Sequence, residues 1–481
     1  MNYRIILRTL GLLLVFEAVF MLVPAITALV YQEAQGWHFI IALAVCALVG
    51  FLGLRVKVKD QSIYSREGFM IVALSWIVMS LFGAMPFWTS NCIPAYIDAL
   101  FETVSGFTTT GSSILDGTQI ESLPKCMQMW RSFSHWIGGM GVLVLMMVFM
   151  PLSGGRNINL MKAESTGPSV GKLVPKMRST ARILYLIYTA LTVLQFILLV
   201  FDMPVFDALT TAFATAGTGG FSIKADSMAS YSSYAQIVVT VFMLLFSINF
   251  ASYFFILRGR LKEALNTEVK VFFGVVFTAI LTVTLNIFLN GDYGYSFGES
   301  LKHAAFSIAS VVSTTGFATA DFGLWPALSQ MVLLLAMFIG ACAGSTGGGV
   351  KVSRVIILYK GATHEMRRWL HPKQIKKITM DNRVVEEEVV RGVSAYIVAY
   401  FLIFIASLLL ICLDFQDVWT NCTAVLATLN NIGPGLGAVG PSGNFAFYSV
   451  GSKLVFIFNM LAGRLEIFPM LLLISPITWK K

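Results

Sequence analysis

The chain carries ten apolar runs, each long enough to cross a membrane as a helix: near 9–31, 38–54, 68–88, 132–151, 182–201, 235–257, 271–290, 327–350, 393–413 and 451–474. Roughly 20 residues at about 1.5 Å per residue span some 30 Å of hydrocarbon, where a backbone must satisfy its own hydrogen bonds. Helices are therefore the elements expected. Charged residues make up only 12% of the 481 residues and mean hydropathy is +0.77. Soluble domains carry roughly twice that share of charge, so a protein of two or three soluble domains is excluded. Acidic tracts, low-complexity tails and zinc-type cysteine spacings are absent from the sequence, which argues against nucleic-acid binding or an appended catalytic domain.

The basic residues give the orientation. Of the 34 Lys and Arg residues, 28 fall in the two termini and in connections 55–67, 152–182, 258–270 and 351–391, while only Lys125, Lys224 and Lys302 lie in connections on the other side. Both termini are therefore expected in the cytoplasm, with an even number of spans, and the net charge of +9 is mainly a topology signal. Arg4 and Arg8 precede the first apolar run, but no small-residue cleavage site follows, so that run reads as a retained span. Cys92 and Cys126 share the first outer connection and are open to either pairing or remaining as thiols.

Four outer connections share a pattern: a short apolar stretch, a turn rich in Gly, Thr or Asn, then the next span. Aligned on one glycine they read DALFETVSGFTTTG to Gly111, DALTTAFATAGTGG to Gly220, HAAFSIASVVSTTG to Gly316 and TNCTAVLATLNNIG to Gly433. Six residues before the glycine the residue is always small: Ser105, Ala214, Ser310, Ala427. A repeat near 100 residues thus organises the chain. The expected fold is an all-α membrane protein of ten transmembrane helices with four re-entrant pore helices, that is, four M1-P-M2 repeats around one pore. Its parts are 1–60 (two extra spans), 61–160, 161–260, 261–375 and 376–481. Asp98 and Asp207 suit helix N-termini.

Irregular backbone at membrane depth is tolerated only when buried in protein or lining a wet cavity. Four converging turns would offer main-chain carbonyls that replace an ion's hydration shell without a trapping charge. Glycine reaches φ > 0 without steric penalty, so Gly111, Gly220, Gly316 and Gly433 allow carbonyls to face one axis. Thr109, Thr110, Thr218, Thr314 and Thr315 add hydroxyls, and Asn431 and Ile432 complete the fourth turn. The turns lack carboxylates, which favours a monovalent cation over calcium. Each glycine alone would suit a tight turn or close helix packing; four in register point to the filter.

Gly340–Gly349 places five glycines in ten residues inside the eighth run. The helix is expected to unwind there, either as a gate (Gly344, Ser345, Thr346, Gly347, Gly348, Gly349) or as a passive kink. Gly435–Gly440 matches GxGxxG but follows no strand and lies outside, so it is not a nucleotide site. Arg464, inside the last run, either faces the axis or pairs with Glu466. Glu17 and Glu102 read as structural carboxylates, His135 and Trp136 as interface aromatics, and 361–391 as a solvated charged connection able to dock a partner. The histidines are scattered, so an intramembrane enzyme is disfavoured. Four equivalent loops also fit poorly with the inverted halves of a transporter of organic substrates.

Thr108–Gly111, Thr218–Phe221, Thr314–Phe317, Asn430–Gly435 and Ala343–Gly349, in that order, resemble the bacterial Trk/Ktr/HKT superfamily of potassium transporters, over nearly the whole chain. The two spans ahead of the first repeat resemble its Trk branch. The resemblance implies potassium uptake across the cytoplasmic membrane, a homodimer with one pathway per protomer, and a filter on the four glycines. It further implies an intramembrane gating loop at 340–349 with Arg464 facing the pore beneath the filter, and a cytosolic nucleotide-binding ring as partner. No cofactor is implied in this chain; potassium is the substrate, and a sodium-coupled or sodium-permeable variant of the Ktr type is the alternative. The second turn, Gly217-Thr-Gly-Gly220, departs from Thr-x-Gly, leaving its register open between Gly219 and Gly220.

Overall fold

The computed structural model describes residues 2–58, 64–141, 177–291, 294–371, 377–381 and 383–479. Apart from a two-residue hairpin pairing Thr379–Met380 with Arg383–Val384, the regular structure described is helical. Six helices are long and apolar enough to cross a membrane: Tyr3–Tyr31, Gly36–Leu54, Ser65–Thr89, Ser179–Val200, Thr267–Asn290 and Glu387–Asp414. Except in Ser65–Thr89, which is mostly buried, their side chains point largely outward, with Leu29, Phe277 and Leu289 at least 70% exposed. That is the reverse of a soluble core and suits a lipid-facing surface.

The expectation of ten spans, the eighth broken at its glycine run, meets a more broken structure. Among the described residues, the helices that follow the four turns stop short of a full crossing. Ser233–Phe246 and Phe250–Leu257 meet at 91°, and count as a seventh span only if taken together. Ala327–Ile339 stops at Gly340, which has φ +69°. Val450–Arg464 is separated from Phe468–Ile474 by Glu466 and Ile467, both at positive φ. Lys125–Gly139 ends ahead of Gly141, also at positive φ, and the rest of that run lies outside the described residues. So do most of connection 152–182 and the boundary proposed at 160–161.

Between the long helices and these broken ones sit four shorter helices: Tyr96–Phe107, Val205–Ala216, Phe297–Val312 and Val418–Leu429. Their starts are fixed by local chemistry. Ser296 and Glu299 form a reciprocal capping box, and Asp417 caps Val418–Leu429 through the Thr420 amide at 2.9 Å. Asp98 and Asp207 occupy first turns, where Asp98 pairs with Lys453 at 2.6 Å and Asp207 accepts from the Tyr231 hydroxyl at 2.9 Å.

Helices Tyr3–Phe20 and Gly36–Leu54 pack backbone to backbone. A Cβ on Gly11 would stand 2.8 Å from the Gly50 carbonyl oxygen and from Gly53 Cα. Small residues commonly permit such approach between membrane helices. Cys92 and Cys126 are both free thiols in the structure.

Candidate functional site

Each of the four short helices ends in the same way. The amides of Thr110, Gly219, Thr315 and Ile432 reach back five residues to the carbonyls of Ser105, Ala214, Ser310 and Ala427, at 2.8–2.9 Å. These acceptors are the small residues of the repeat. The amides of Thr109, Thr218, Thr314 and Asn431 bond three residues back, at 3.0–3.4 Å. This pair of bonds is the Schellman helix ending, which places its next residue in the left-handed region.

Here that residue is never glycine. Thr109, Thr218, Thr314 and Asn431 have φ of 55°, 53°, 58° and 54°. A left-handed β-branched residue costs on the order of 1–3 kcal/mol and persists only where its surroundings hold it. Two residues on, Gly111, Gly220, Gly316 and Gly433 have φ of 82°, 75°, 86° and 101°. The intervening Thr110, Gly219, Thr315 and Ile432 do not. This common signature fixes the register of the second turn: Gly220 is the equivalent glycine, and Gly219 matches Thr110, Thr315 and Ile432.

The four turns close on one another. A Cβ on Gly111 would strike the Gly219 carbonyl oxygen, one on Gly220 that of Thr315, and one on Gly316 that of Ile432; one on Gly433 would meet the Thr110 oxygen at 2.9 Å. Each glycine therefore leaves room for a carbonyl of the next turn, in the cyclic order first, second, third, fourth, first. The four glycines together line one cavity of about 90 Å³, with Ser112, Phe221 and Pro434 above them. That is room for several waters.

Buried polar groups brace the ring from behind. Glu102, itself wholly buried, accepts from Arg131 Nε at 2.8 Å, from Ser113 Oγ at 3.0 Å and from the Ile114 amide at 3.1 Å. Arg131 also donates to the Ser222 carbonyl at 3.0 Å, joining the first turn to the second. Asn431 Nδ2 donates to Thr110 Oγ1 at 2.9 Å, joining the fourth to the first. His135 is fully buried between the first two turns, which corrects its reading as an interface aromatic. Trp136 is half-buried and stacks on Phe133 and Tyr188.

At the other end of the turns lies the glycine-rich segment, non-helical from Gly340 to Lys351. The Gly348 amide donates to Thr314 Oγ1 at 2.6 Å and the Gly349 amide to the Asn430 carbonyl at 3.1 Å. Its other side fills the elbow of the bent pair, where the Phe250 amide donates to the Gly344 carbonyl at 3.1 Å and Thr346 Oγ1 to the Phe246 carbonyl at 3.2 Å. Ser345 Oγ turns back to the Cys342 carbonyl, and a Cβ on Gly347 would meet the Ser313 carbonyl oxygen at 2.8 Å. Glu268 gathers both ends, accepting from the Ala343 amide at 2.7 Å and the Ser353 amide at 3.1 Å.

Arg464 is buried against this segment. Its Nη1 donates to the Thr346 carbonyl at 2.8 Å and its Nη2 to the carbonyls of Gly138 and Gly139. Glu466, the partner weighed for it from sequence, is taken by Arg354. Lys351, also buried, donates to the Gly347 carbonyl. Sequence reasoning missed Glu268 as a neighbour of the segment, and placed Lys351 and Arg354 just after it in the chain without a contact to it.

The four glycine turns thus close on one another, with the irregular backbone of 340–351 packed against one end. Residues 36–480 match the TrkH family, described as cation transport protein. The chain belongs to the TrkH family. It is 37% identical to the Trk system potassium uptake protein TrkH of Salmonella typhimurium and 36% identical to that of Escherichia coli K12, in each case over the whole of both chains. The crystal structure of the potassium transporter TrkH from Vibrio parahaemolyticus matches with a TM-score of 0.89 and 33% identity, again over both whole chains. This TrkH-family chain is thus a predominantly helical, multi-pass membrane protein whose relatives are named as transporters and not as enzymes.

Proposed function

We propose that this chain takes up potassium across the cytoplasmic membrane, through the ring formed at Thr109–Gly111, Thr218–Gly220, Thr314–Gly316 and Asn431–Gly433. The observation that carries this reading is the closed cycle in which each glycine accommodates a carbonyl of the next turn. Alternation of the sign of φ along each turn lets successive carbonyls face one side, which gives a dehydrated monovalent cation several oxygens without a fixed charge. Ten crossings, four of them interrupted, would make four M1-P-M2 units, with both termini cytoplasmic as the basic residues indicate.

Segment 344–349 is the gate in this reading. It stands against Thr314 and Asn430 at the end of the ring away from the cavity, and Arg464 adds a positive charge there that opposes cations. A homodimer and a cytosolic nucleotide-binding ring acting on the gate complete the proposal. The ring would bind the nucleotide, and this chain would need no cofactor.

The test is potassium and sodium flux into proteoliposomes for wild type and Gly316→Ser. A side chain at 316 both strains a backbone at φ +86° and collides with the Ile432 oxygen, so potassium preference is expected to fall. Unchanged preference would remove the filter assignment.

A further inference from the structure

The second turn is built differently from its neighbours. In the first and third turns, the residues three and one before the glycine carry hydroxyls that bond each other: Thr108 to Thr110 at 2.7 Å and Ser313 to Thr315 at 2.6 Å. Those hydroxyl pairs fill the space behind the turn. In the second turn both positions are glycine, Gly217 and Gly219, yet the backbone keeps the common conformation. Something else must occupy that space, since a void behind strained backbone would leave it free to relax.

The occupant is His135. A Cβ on Gly219 would run into Nδ1, Cγ and Cε1 of its imidazole, and a Cβ on Gly217 into its backbone and Cβ. The ring is held on both edges. Nδ1 lies 2.7 Å from the Gly106 carbonyl oxygen, and Nε2 lies 3.2 Å from the Phe221 amide nitrogen. A carbonyl can only accept and an amide N–H can only donate, so these partners select the neutral imidazole with its proton on Nδ1. The Phe221 ring packs against it at 4.4 Å between centroids. One imidazole thereby ties the first helix ending, through Gly106, to the residue that follows Gly220.

We propose that His135 is a positioning residue for ion selectivity. It supplies from the helix Lys125–Gly139 the side chain that the second turn lacks, and so fixes how far the Gly219 and Gly220 carbonyls stand from the axis. Gly217 and Gly219 are the complement of that arrangement, since any side chain at 219 would displace the imidazole. The inference rests on the filter reading of the ring. It adds that the second turn is set by a residue outside its own repeat segment.

Four variants test it by potassium and sodium flux in proteoliposomes: Gly316→Ser, His135→Ala, Gly219→Thr, and His135→Ala combined with Gly219→Thr. The last gives the second turn the Thr-Thr-Gly sequence of the first and third while removing the obstructing ring. Each protein is first checked for monodispersity and melting temperature. Each single change at 135 or 219 should lower the potassium-to-sodium ratio about tenfold, since displaced carbonyls no longer match the ion, and the combined change should return to within about threefold of wild type. Should His135→Ala fail to fold, the recovery from Gly219→Thr to the combined variant carries the same test. A combined variant no better than Gly219→Thr alone overturns the proposal. So does an unaltered ratio in His135→Ala while Gly316→Ser shifts it. An unaltered ratio in Gly316→Ser as well would instead remove the filter reading, and this inference with it.

Discussion

Glu102 and Arg131 form a buried ion pair, 2.8 Å apart, with side chains 0% and 2% exposed. The pair lies behind the ring, with Ser113 and Ile114 of the first connection on one side and Ser222 of the second on the other. Two buried charges are costly to desolvate, and what holds them here is mutual pairing together with saturation of the remaining lone pairs and donors.

Removing one partner should therefore be far worse than removing both. Glu102→Ala or Arg131→Met is expected to cost about 3–5 kcal/mol, because a single charge is left uncompensated, whereas an apolar double replacement of similar volume should recover much of the loss. Thermal melts in detergent, arranged as a double-mutant cycle, read this directly. Additive losses would show that the two groups act independently.

A second expectation concerns Arg464. Its guanidinium bridges the Thr346 carbonyl and those of Gly138 and Gly139, a fork geometry that a lysine ammonium cannot reproduce. Arg464→Ala should raise potassium flux several-fold, and Arg464→Lys should fall between it and wild type. Both should leave the potassium-to-sodium ratio unchanged, since the ring is untouched. Flux that falls, or a ratio that moves, would contradict a gate at this position.

Glu268 offers a separate handle on the same segment. One carboxylate oxygen accepts the amides of Ala343 and Ser353, so Glu268→Ala leaves two buried amides without their acceptor. Glu268→Gln keeps an acceptor oxygen. Flux through the alanine variant should rise more than through the glutamine variant, again without change in ion preference. Equal flux in both would show that the latch is not what restrains the loop.

The ring and the break were legible in the sequence, for a shared reason. Four segments align on one glycine, and each glycine sits where a positive φ and a neighbouring carbonyl exclude any side chain, so composition reports the backbone directly. The glycine run at 340–349 was legible in the same way. What escaped were features that depend on tertiary contact. The 91° elbow at Ser247–Asn249 contains neither Gly nor Pro, whereas the break at Glu466–Ile467 has Pro469 in the first turn of the helix that follows, a signal the sequence reading did not use. Both read as continuous spans because an apolar run reports its solvent and not its path. The role of His135 escaped because its partners come from other segments. The one available signal was the surplus of glycine in Gly217-Thr-Gly-Gly220, which demands that something large pack nearby.

Outside the membrane-spanning segments, Asp417 gives a pH dependence with a definite sign. The hydroxyl and amide of Thr420 hold its carboxyl below the usual aspartate range. A depressed folded-state pKa contributes stability above the unfolded value that is lost as pH falls through the folded one. Wild type should thus lose part of its melting temperature on acidification below the ordinary aspartate range. Asp417→Asn should keep the cap but lose that portion of the dependence, while Asp417→Ala should cost about 1 kcal/mol at neutral pH. Identical acid profiles for wild type and the asparagine variant would contradict this assignment.

The most direct measurement is a crystallographic one, with thallium or rubidium in place of potassium. Anomalous density is expected on the axis of the ring, encircled by main-chain oxygens of Thr110, Gly219, Thr315 and Ile432 or of the residues beside them. It should vanish when sodium alone is present. Density confined to other parts of the molecule, or a ring that stays empty in saturating thallium, would contradict the account.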